Sequence, residues 1–331
     1  MPSSSFQPGT RAWPISLDDV RAAEARIRPY LAPTACHSYP VLDAEVGSGI
    51  RVRVKHENFQ PTGSFKIRNG VSFMTALTAE QRARGVVAAT RGNHGLGVAF
   101  AGQALGVRTT ICVPVGNNPD KNAGMTALGA RLIEDGRDYD DAVLVAERIV
   151  REESATIAHS TNDRTVVAGA GTLTLELIGQ CRSLDAMVLA VGGGSQAVGA
   201  MTVLRALRPG TPVYAVQAEG ASAAHDGVRA GHPVSYPSCN TFADGLATRS
   251  TYDLTFPALL DGLADFITVT DAEIAHAMRV LLRTTHSLVE PAGAAGLAGL
   301  LRLRETLAGK TVSIVLSGAN VDEATLRHVL S

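Results

Sequence analysis

Four short motifs in this chain combine glycine, hydroxyl, amide and amine groups at points where an apolar run gives way to a helical stretch. The first is Pro61–Arg68, in which Lys66 follows a turn of small residues and Phe65. A lysine held near apolar and aromatic surface has a depressed pKa and becomes a nucleophilic amine. A single lysine is more often a solvated surface charge, so this motif alone only suggests covalent chemistry.

A run of three glycines marks the second motif, which follows the apolar stretch Ala186–Val191 and leads into a helical one: Gly192, Gly193, Gly194, Ser195 and Gln196. Glycine lets a backbone approach a ligand closely, and the free amides at a helix start bind anions such as phosphate. The spacing to Ala197 also fits a dinucleotide fingerprint, with Glu219 placed where a ribose-binding acid would lie. A tight turn without a ligand is the simplest alternative.

The third and fourth motifs also stand between a strand-like run and a helix. Thr90–Gly95 contains Arg91, Gly92, Asn93 and His94, and Ser317–Asn320 follows the apolar run Thr311–Leu316. Asparagine at a helix start is most often a cap, and a lone histidine is more often structural than catalytic. The Thr90–Gly95 loop could also present amides to a carboxylate. A capped turn explains Ser317–Asn320 equally well.

The elements that must position these motifs alternate along the chain. Short apolar runs are separated by amphipathic stretches of helical length, and this alternation predicts an α/β fold with a mostly parallel sheet covered on both faces. Such sheets bind ligands at the carboxyl ends of their strands. The predicted strands are Arg51–His56, Val86–Ala89, Thr109–Pro114, Ala130–Ile133, Thr156–His159, Ala186–Val191, Pro212–Gln217, Phe266–Val269 and Thr311–Leu316.

The composition of the chain excludes several classes of protein. The 331 residues carry a net charge of −1, and 45% are hydrophobic, so the chain is neither disordered nor a typical nucleic-acid binder. No apolar run reaches the ~18 residues that span a bilayer, so we expect no membrane partner. The first dozen residues lack a signal-peptide pattern, and the four cysteines form no metal-ligand spacing. A cytoplasmic location is therefore expected.

Taken in order, the four motifs resemble those of the fold-type II pyridoxal-phosphate enzymes, and in particular the serine/threonine dehydratase and serine racemase branch. The resemblance extends from about residue 15 to the end of the chain, and it argues against the dinucleotide interpretation. It implies an α/β, tryptophan-synthase-β-like fold of two interleaved three-layer domains with mostly parallel sheets. The large domain would comprise residues 1–84 and 161–331, and the small inserted domain residues 85–160.

The resemblance also implies roles for individual residues. Lys66 would hold pyridoxal 5′-phosphate as a Schiff base and, once released, act as the base at Cα. Phe65 and Asn93 would flank the ring, with Asn93 reaching the phenolic oxygen, and Ser317 would meet the pyridine nitrogen. The glycine turn, Ser195 and Gln196 would hold the phosphate. The substrate would contact Ser64, Arg91, Gly92 and His94.

The implied reaction is that of an ammonia-lyase: a β-hydroxy amino acid such as threonine or serine loses water and ends as a 2-oxo acid and ammonia. Because a neutral hydroxyl at Ser317 only hydrogen-bonds to the ring nitrogen, elimination is favoured over transamination. By analogy with relatives, we expect a homodimer. The alternatives are β-replacement, racemisation, a nicotinamide-dependent oxidoreductase and a non-catalytic ligand-binding protein.

This chain departs from the branch at several positions. Relatives have a small residue where Arg91 stands, and racemases use a serine there as second acid/base, which an arginine cannot replace because it stays protonated. We hypothesise that Arg91 reads a polar or anionic group on the substrate; a structural ion pair is the alternative. The variant Thr90–Gly95 also resembles dehydratases of hydroxyectoine utilisation. Gln217 and Ala223 replace the acidic metal ligands of some relatives, so no metal is expected. Asp244 and Glu290 match acidic positions near the family's cofactor, although a turn and a helix start would explain them equally.

Overall fold

A six-stranded and a four-stranded β-sheet organise the chain in the computed structural model, which describes residues 13–331. Residues 1–12 of the predicted large domain lie outside the described residues. The ten strands of the described part, numbered in chain order, are β1 (Cys36–His37), β2 (Arg51–His56), β3 (Val86–Ala89), β4 (Thr109–Val113), β5 (Arg131–Glu134), β6 (Thr156–Ile157), β7 (Ala186–Ala190), β8 (Val213–Ala218), β9 (Asp265–Val269) and β10 (Thr311–Leu316).

The six-stranded sheet has the order β1-β2-β10-β7-β8-β9, and only the β1–β2 pair is antiparallel. Strand β10 lies inside it, with Ile314 opposite Val54 on one side and Val188 on the other. All six residues of β10 are buried, as expected for a parallel strand covered on both faces. The sequence missed β1, because a two-residue edge strand carries no periodic pattern.

The four-stranded sheet has the order β5-β4-β3-β6 and is parallel throughout. Its strands come from the stretch between β2 and β7, so this sheet is inserted between two strands of the other one. The α/β fold with two mostly parallel sheets is confirmed. The domain boundaries 1–84, 85–160 and 161–331 stay a prediction.

Fourteen α-helices of the described residues cover these sheets, and none of them is both long and apolar enough to cross a membrane. They are α1 (Leu17–Ile27), α2 (Pro40–Val46), α3 (Lys66–Ala76), α4 (Ala79–Arg84), α5 (Asn93–Leu105), α6 (Pro119–Ala127), α7 (Tyr139–Glu153), α8 (Arg164–Gln180), α9 (Ser195–Leu207), α10 (Ala223–Ala230), α11 (Phe256–Gly262), α12 (Asp271–Thr285), α13 (Pro291–Arg302) and α14 (Glu323–Leu330).

Helices α3 and α5 approach each other unusually closely, because glycine faces backbone at their contact. A Cβ added to Gly70 would lie 2.2 Å from the carbonyl oxygen of Gly97, and one added to Gly97 would lie 2.4 Å from that of Lys66. Side chains at these positions would push the helices apart. The contact therefore fixes the start of α3 against the helix that begins at Asn93.

A buried ion network anchors the start of α3 from the other side. Arg68 donates from Nε and Nη2 to the two carboxylate oxygens of Glu57, at 2.8 and 2.9 Å, and from Nη1 to Glu176 at 2.7 Å. Lys55 donates to Glu176 at 2.7 Å. Although burial alone would raise the pKa of Glu57, the charge of Arg68 lowers it below its usual range. The network thus pairs the cations Lys55 and Arg68 with the anions Glu57 and Glu176. Because Arg68 is only two residues after Lys66, these contacts hold the start of α3 in place.

Candidate active site

A cavity of about 320 Å³ opens where β3, β7 and β10 end, at the carboxyl edges of both sheets. The structure thus brings together four motifs spread between Pro61 and Asn320, at the edge where parallel strands bind ligands. Twelve of the thirteen residues predicted for the site line this cavity: Phe65, Lys66, Arg91, Gly92, Asn93, His94, Gly192, Gly193, Gly194, Ser195, Gln196 and Ser317.

Lys66 projects its amine into the cavity from the first position of α3. The Nζ atom donates to the carbonyl oxygen of Ser160 at 3.1 Å and lies 5.3 Å from the centre of the Phe65 ring. Burial lowers the pKa of Lys66 to about 8. An amine with this pKa is partly neutral near physiological pH, and only the neutral form is a nucleophile or a base.

Backbone hydrogen bonds join the Pro61–Arg68 motif to the Ser317–Asn320 motif. The amide of Phe65 donates to the carbonyl oxygen of Ser317 at 3.0 Å, and the amide of Ala319 donates to Gly63 at 2.8 Å. Ser317 is thereby placed beside Lys66. Ser64 forms a bridge with Gly318 and is fully buried, with no partner for its hydroxyl among the described residues. It does not line the cavity, so its substrate contact stays a prediction.

The glycine turn forms a cup whose walls leave no room for side chains. A Cβ on Gly192 would lie 2.6 Å from the carbonyl oxygen of Gly245, and one on Gly193 would lie 2.2 Å from Thr161 Oγ1. Gly194 has a φ of +95° and precedes the first turn of α9, and its neighbours Ser195 and Gln196 line the cavity. The cup therefore presents helix-start amides to an anion, and glycine is required by space at two positions and by conformation at the third.

The loop before α5 presents further amides, but Gly92 already uses its own. The amides of Gly92 and Gly95 both donate to Thr90 Oγ1, at 2.8 and 3.3 Å, whereas the amides of Asn93 and His94, at the start of α5, have no acceptor within the helix. His94 is buried and donates from Nε2 to the carbonyl oxygen of Ala158 at 2.8 Å. Burial, aided by the charge of Lys66, lowers the pKa of His94 to about 3. The His94 ring is therefore neutral, and any binding of an anion here falls to the backbone.

Cationic side chains lie on the wall of the cavity beyond Gly92. Arg91 Nη1 is 4.0 Å from Asp244 Oδ1, and Lys121 Nζ is 3.4 Å from Asp244 Oδ2. The Arg91 side chain is 41% exposed, whereas that of Lys121 is nearly buried. Sequence reasoning missed Lys121, because a lone lysine on a helix of the small sheet carries no signal of its own. Two cations share the carboxylate of Asp244 here, and Lys121 also faces the carboxyl group of Glu290 in the same cavity.

Comparison with known proteins identifies the family of the chain. The sequence profile of the pyridoxal-phosphate dependent enzymes matches residues 27–318. The chain belongs to this family. It is 38% identical over 283 residues to an L-threonine ammonia-lyase of Geobacter sulfurreducens, which covers 85% of this chain and 70% of the relative. It is 33% identical over 307 residues to an L-threo-3-hydroxyaspartate ammonia-lyase of Pseudomonas sp., and the matched region covers 93% of this chain and 96% of the relative.

A solved relative shares the fold of this pyridoxal-phosphate enzyme. The structure of maize serine racemase superposes with a TM-score of 0.91 at 32% identity and covers 96% of this chain and 97% of the other. The predicted membership in the serine/threonine dehydratase family is confirmed, and with it the cofactor. The enzyme is a pyridoxal-phosphate-dependent lyase of the threonine dehydratase type.

The residues present fit pyridoxal 5′-phosphate. Gln196 is buried, and its Nε2 atom has no partner among the described residues, so a donor stands unused at the glycine cup. The cup leaves no room for side chains at Gly192 and Gly193, and its backbone lines the cavity. An amine with a lowered pKa lies in the same cavity as the cup. The donor set thus offers a carbonyl-reactive amine at one side and a phosphate cradle at the other.

Glu290, for which the sequence left a cofactor-site position and a helix start as alternatives, lines the same cavity. It precedes Pro291 at the start of α13 and is 5% exposed, and Asn93 Nδ2 donates to its Oε1 atom at 2.6 Å. Burial raises the pKa of Glu290 to about 7, against the opposing charge of Lys121. An acid directly before a proline signals a helix start as readily as a site residue, so the signal was ambiguous.

Among residues 13–331, no group of histidine, cysteine, aspartate and glutamate side chains is arranged to hold a metal ion. Gln217 instead accepts a hydrogen bond from the backbone amide of His225 at 3.0 Å. The expectation that the enzyme needs no metal stays a prediction.

Proposed function

We propose that this enzyme is an ammonia-lyase for a β-hydroxy α-amino acid with a polar or anionic distal group. The substrate would lose the Cα proton and the β-hydroxyl as water, and hydrolysis of the resulting product would release a 2-oxo acid and ammonia. The observation that carries the proposal is that the Lys66 amine, the glycine cup and the Arg91 side chain line one cavity. The ammonia-lyases among its relatives support the reaction class.

Lys66 would hold the cofactor covalently and, when released, take the proton from the substrate's Cα. Bound pyridoxal 5′-phosphate would supply the electron sink that makes this proton removable. The Ser160 carbonyl accepts from Nζ and so holds the amine in the cavity. Because burial lowers the pKa of Lys66 to about 8, a fraction of the amine is available as a base at neutral pH.

Three further groups would hold the cofactor in place. The glycine cup with Ser195 and Gln196 would bind the phosphate through amides of the first turn of α9 and the free Gln196 donor. Asn93 would reach the phenolic oxygen, and Phe65 would flank the ring. Ser317 would hydrogen-bond to the pyridine nitrogen without a charge, which disfavours a long-lived carbanion.

The α-carboxylate of the substrate would lie at the start of α5. The amides of Asn93 and His94 would be the donors there, because the Gly92 and Gly95 amides are engaged by Thr90 Oγ1 and the His94 ring is neutral. The cations Arg91 and Lys121 lie next to this loop. A second carboxylate on the substrate's β-carbon side would compete with Asp244 for these two cations.

A kinetic comparison of Arg91→Ala on two substrates tests the specificity. We expect kcat/KM for 3-hydroxyaspartate to fall about 10- to 100-fold, since a charged hydrogen bond is lost, and kcat/KM for threonine to change less than about 3-fold. Arg131→Ala is the control, because Arg131 pairs with Glu153 on the surface and lies outside the cavity. An equal loss on both substrates, or no loss on either, would show that Arg91 only forms a structural ion pair.

A substrate panel tests the reaction itself. Serine, threonine, 3-hydroxyaspartate and hydrolysis products of hydroxyectoine would be scored for 2-oxo acid and ammonia, since the Thr90–Gly95 motif also resembles hydroxyectoine dehydratases. Inversion at Cα without ammonia, or incorporation of an added thiol, would instead assign racemisation or β-replacement. We also propose that the enzyme is a cytoplasmic homodimer, which sedimentation and cell fractionation test.

A further inference from the structure

Three side chains from distant parts of the chain form a hydrogen-bonded line beside the cavity. Asn320 Nδ2 donates to Asn93 Oδ1 at 2.7 Å, and Asn93 Nδ2 donates to Glu290 Oε1 at 2.6 Å. Asn93 lies at the first position of α5, Glu290 before α13, and Asn320 beyond β10. The two bonds therefore join one cavity residue to two elements that follow it by about 200 residues.

The donor and acceptor roles along this chain of hydrogen bonds are determined at Asn320. Asn320 Nδ2 also donates to the carbonyl oxygen of Thr62 at 2.9 Å, and a carbonyl oxygen only accepts. The nitrogen of Asn320 must therefore face Thr62 and Asn93, so the oxygen of Asn93 faces Asn320. At the other end, the Oε1 atom of Glu290 accepts from the Asn93 nitrogen. The Asn93 amide has only one orientation that satisfies both neighbours.

This orientation decides what Asn93 offers to a ligand. Its Nδ2 carries two hydrogens, and Glu290 takes one of them. Asn93 lines the same cavity as Lys66, and its second N–H remains for a ligand there. In the opposite orientation the amide would turn an acceptor oxygen toward the ligand. A donor stabilises an ionised oxygen, whereas an acceptor disfavours it.

We propose that Asn320 and Glu290 are positioning residues that lock the Asn93 amide with an N–H toward the cavity, so that the cofactor's phenolic oxygen is bound in its ionised form. The proposal rests on the role proposed above for Asn93. It gives the last residue of the Ser317–Asn320 motif and the buried acid before α13 one shared task.

Asn320→Asp in the holoenzyme is the sharpest test, because it replaces the donor by an acceptor of nearly equal size. The carboxylate of this variant would attract the Asn93 nitrogen and turn the amide around. We expect the visible absorption bands of the bound cofactor to shift toward the form with a protonated phenolic oxygen. We also expect the dissociation constant of the cofactor, measured by equilibrium dialysis, to rise about 10-fold or more.

The role of Glu290 is tested by two variants, one of which keeps an oxygen that can accept a hydrogen bond from Asn93 and one of which does not. Glu290→Gln keeps an oxygen that accepts from Asn93 and should leave the ratio of the absorption bands as in the wild type, whereas Glu290→Ala should shift it in the same direction as Asn320→Asp. Asn117→Ala is the control, since it breaks an Asn117–Asn122 hydrogen bond of 2.6 Å outside the cavity and should change neither band ratio nor affinity.

The outcomes separate this proposal from the proposed function. If Asn93→Ala shifts the bands and weakens cofactor binding but Asn320→Asp and Asn320→Ala do neither, the positioning role is overturned and the role of Asn93 stands. Equal band ratios in Glu290→Gln and Glu290→Ala overturn the part assigned to Glu290, even if the Asn320 variants do not fold. If Asn93→Ala itself changes nothing, both the positioning role and the proposed role of Asn93 fail.

Discussion

The side-chain amine of Lys66 donates a hydrogen bond to the backbone carbonyl of Ser160 at 3.1 Å. Lys66 begins the helix that follows β2 of the six-stranded sheet, and Ser160 follows β6 at the edge of the four-stranded sheet. One short contact thus joins the two sheets at the reactive nitrogen. Because the amine is held in the cavity rather than in bulk water, its protonation is set by burial.

The pH dependence of cofactor loading follows from that burial. Lys66 would react with the cofactor's aldehyde only as a neutral amine, and burial lowers the pKa of Lys66 to about 8. The rate at which cofactor-free protein takes up pyridoxal 5′-phosphate should therefore rise from pH 6 to about pH 8 and then level off. Stopped-flow absorbance measures it. A rate that keeps climbing toward pH 10.5, the usual value for lysine, would contradict the prediction.

Lys66→Ala provides the control for that experiment. Without the amine, borohydride treatment should leave no pyridoxyl group on the protein by mass spectrometry, and activity should fall by at least about 10²- to 10⁴-fold because the base is lost as well. A yellow, fully active Lys66→Ala protein would overturn the proposed role of this residue.

The glycine cup should not tolerate a single added methyl group at Gly193. The Cβ of Gly193→Ala would lie 2.2 Å from Thr161 Oγ1, so either the Thr161 loop or the amides of the cup must move. We expect cofactor affinity to weaken by about 10-fold or more, since overpacking costs about 1–3 kcal/mol. Fluorescence titration with pyridoxal 5′-phosphate measures the effect.

Combining Gly193→Ala with Thr161→Ala isolates the cause. Removing the Thr161 hydroxyl takes away the nearest atom, and the next is the Thr161 Cβ at 3.0 Å, so affinity should recover in part. A double variant as weak as Gly193→Ala alone would show that the added methyl group acts on the bound phosphate itself, rather than through Thr161.

The buried ion network should be far more sensitive to mutation than a surface ion pair. Arg68→Met leaves Glu57, which is fully buried, without its guanidinium partner. Removing one partner of a buried pair costs about 3–5 kcal/mol of the free energy of unfolding. Arg84→Met is the matched control, because its partner Glu80 is exposed and the loss should stay below about 1 kcal/mol. Urea unfolding compares the two; equal losses would contradict a structural role for the network.

Several strands and the enzyme family could be predicted from local patterns of the sequence. Strands β2, β3 and β10 have the predicted bounds, because each is a short apolar run flanked by polar or turn residues. The order of Lys66, Asn93, the glycine run and Ser317 indicated the family and its cofactor, which comparison with known proteins confirmed. Each of these signals lies within a few neighbouring residues, where periodicity and turn chemistry act.

Which side chains come into contact depends on how distant segments of the chain pack together. Lys121 and Glu290 line the cavity from elements outside the four motifs. Asn320 lies within a motif, but its contacts with Asn93 and Thr62 join positions 227 and 258 residues apart, which no local pattern encodes. Ser64 belongs to the same motif as Lys66, yet in the fold it is fully buried and does not line the cavity. The lowered pKa values of Lys66 and His94 and the raised one of Glu290 also arise from burial. Burial depends on the packing of the two sheets, which is a property of the whole fold.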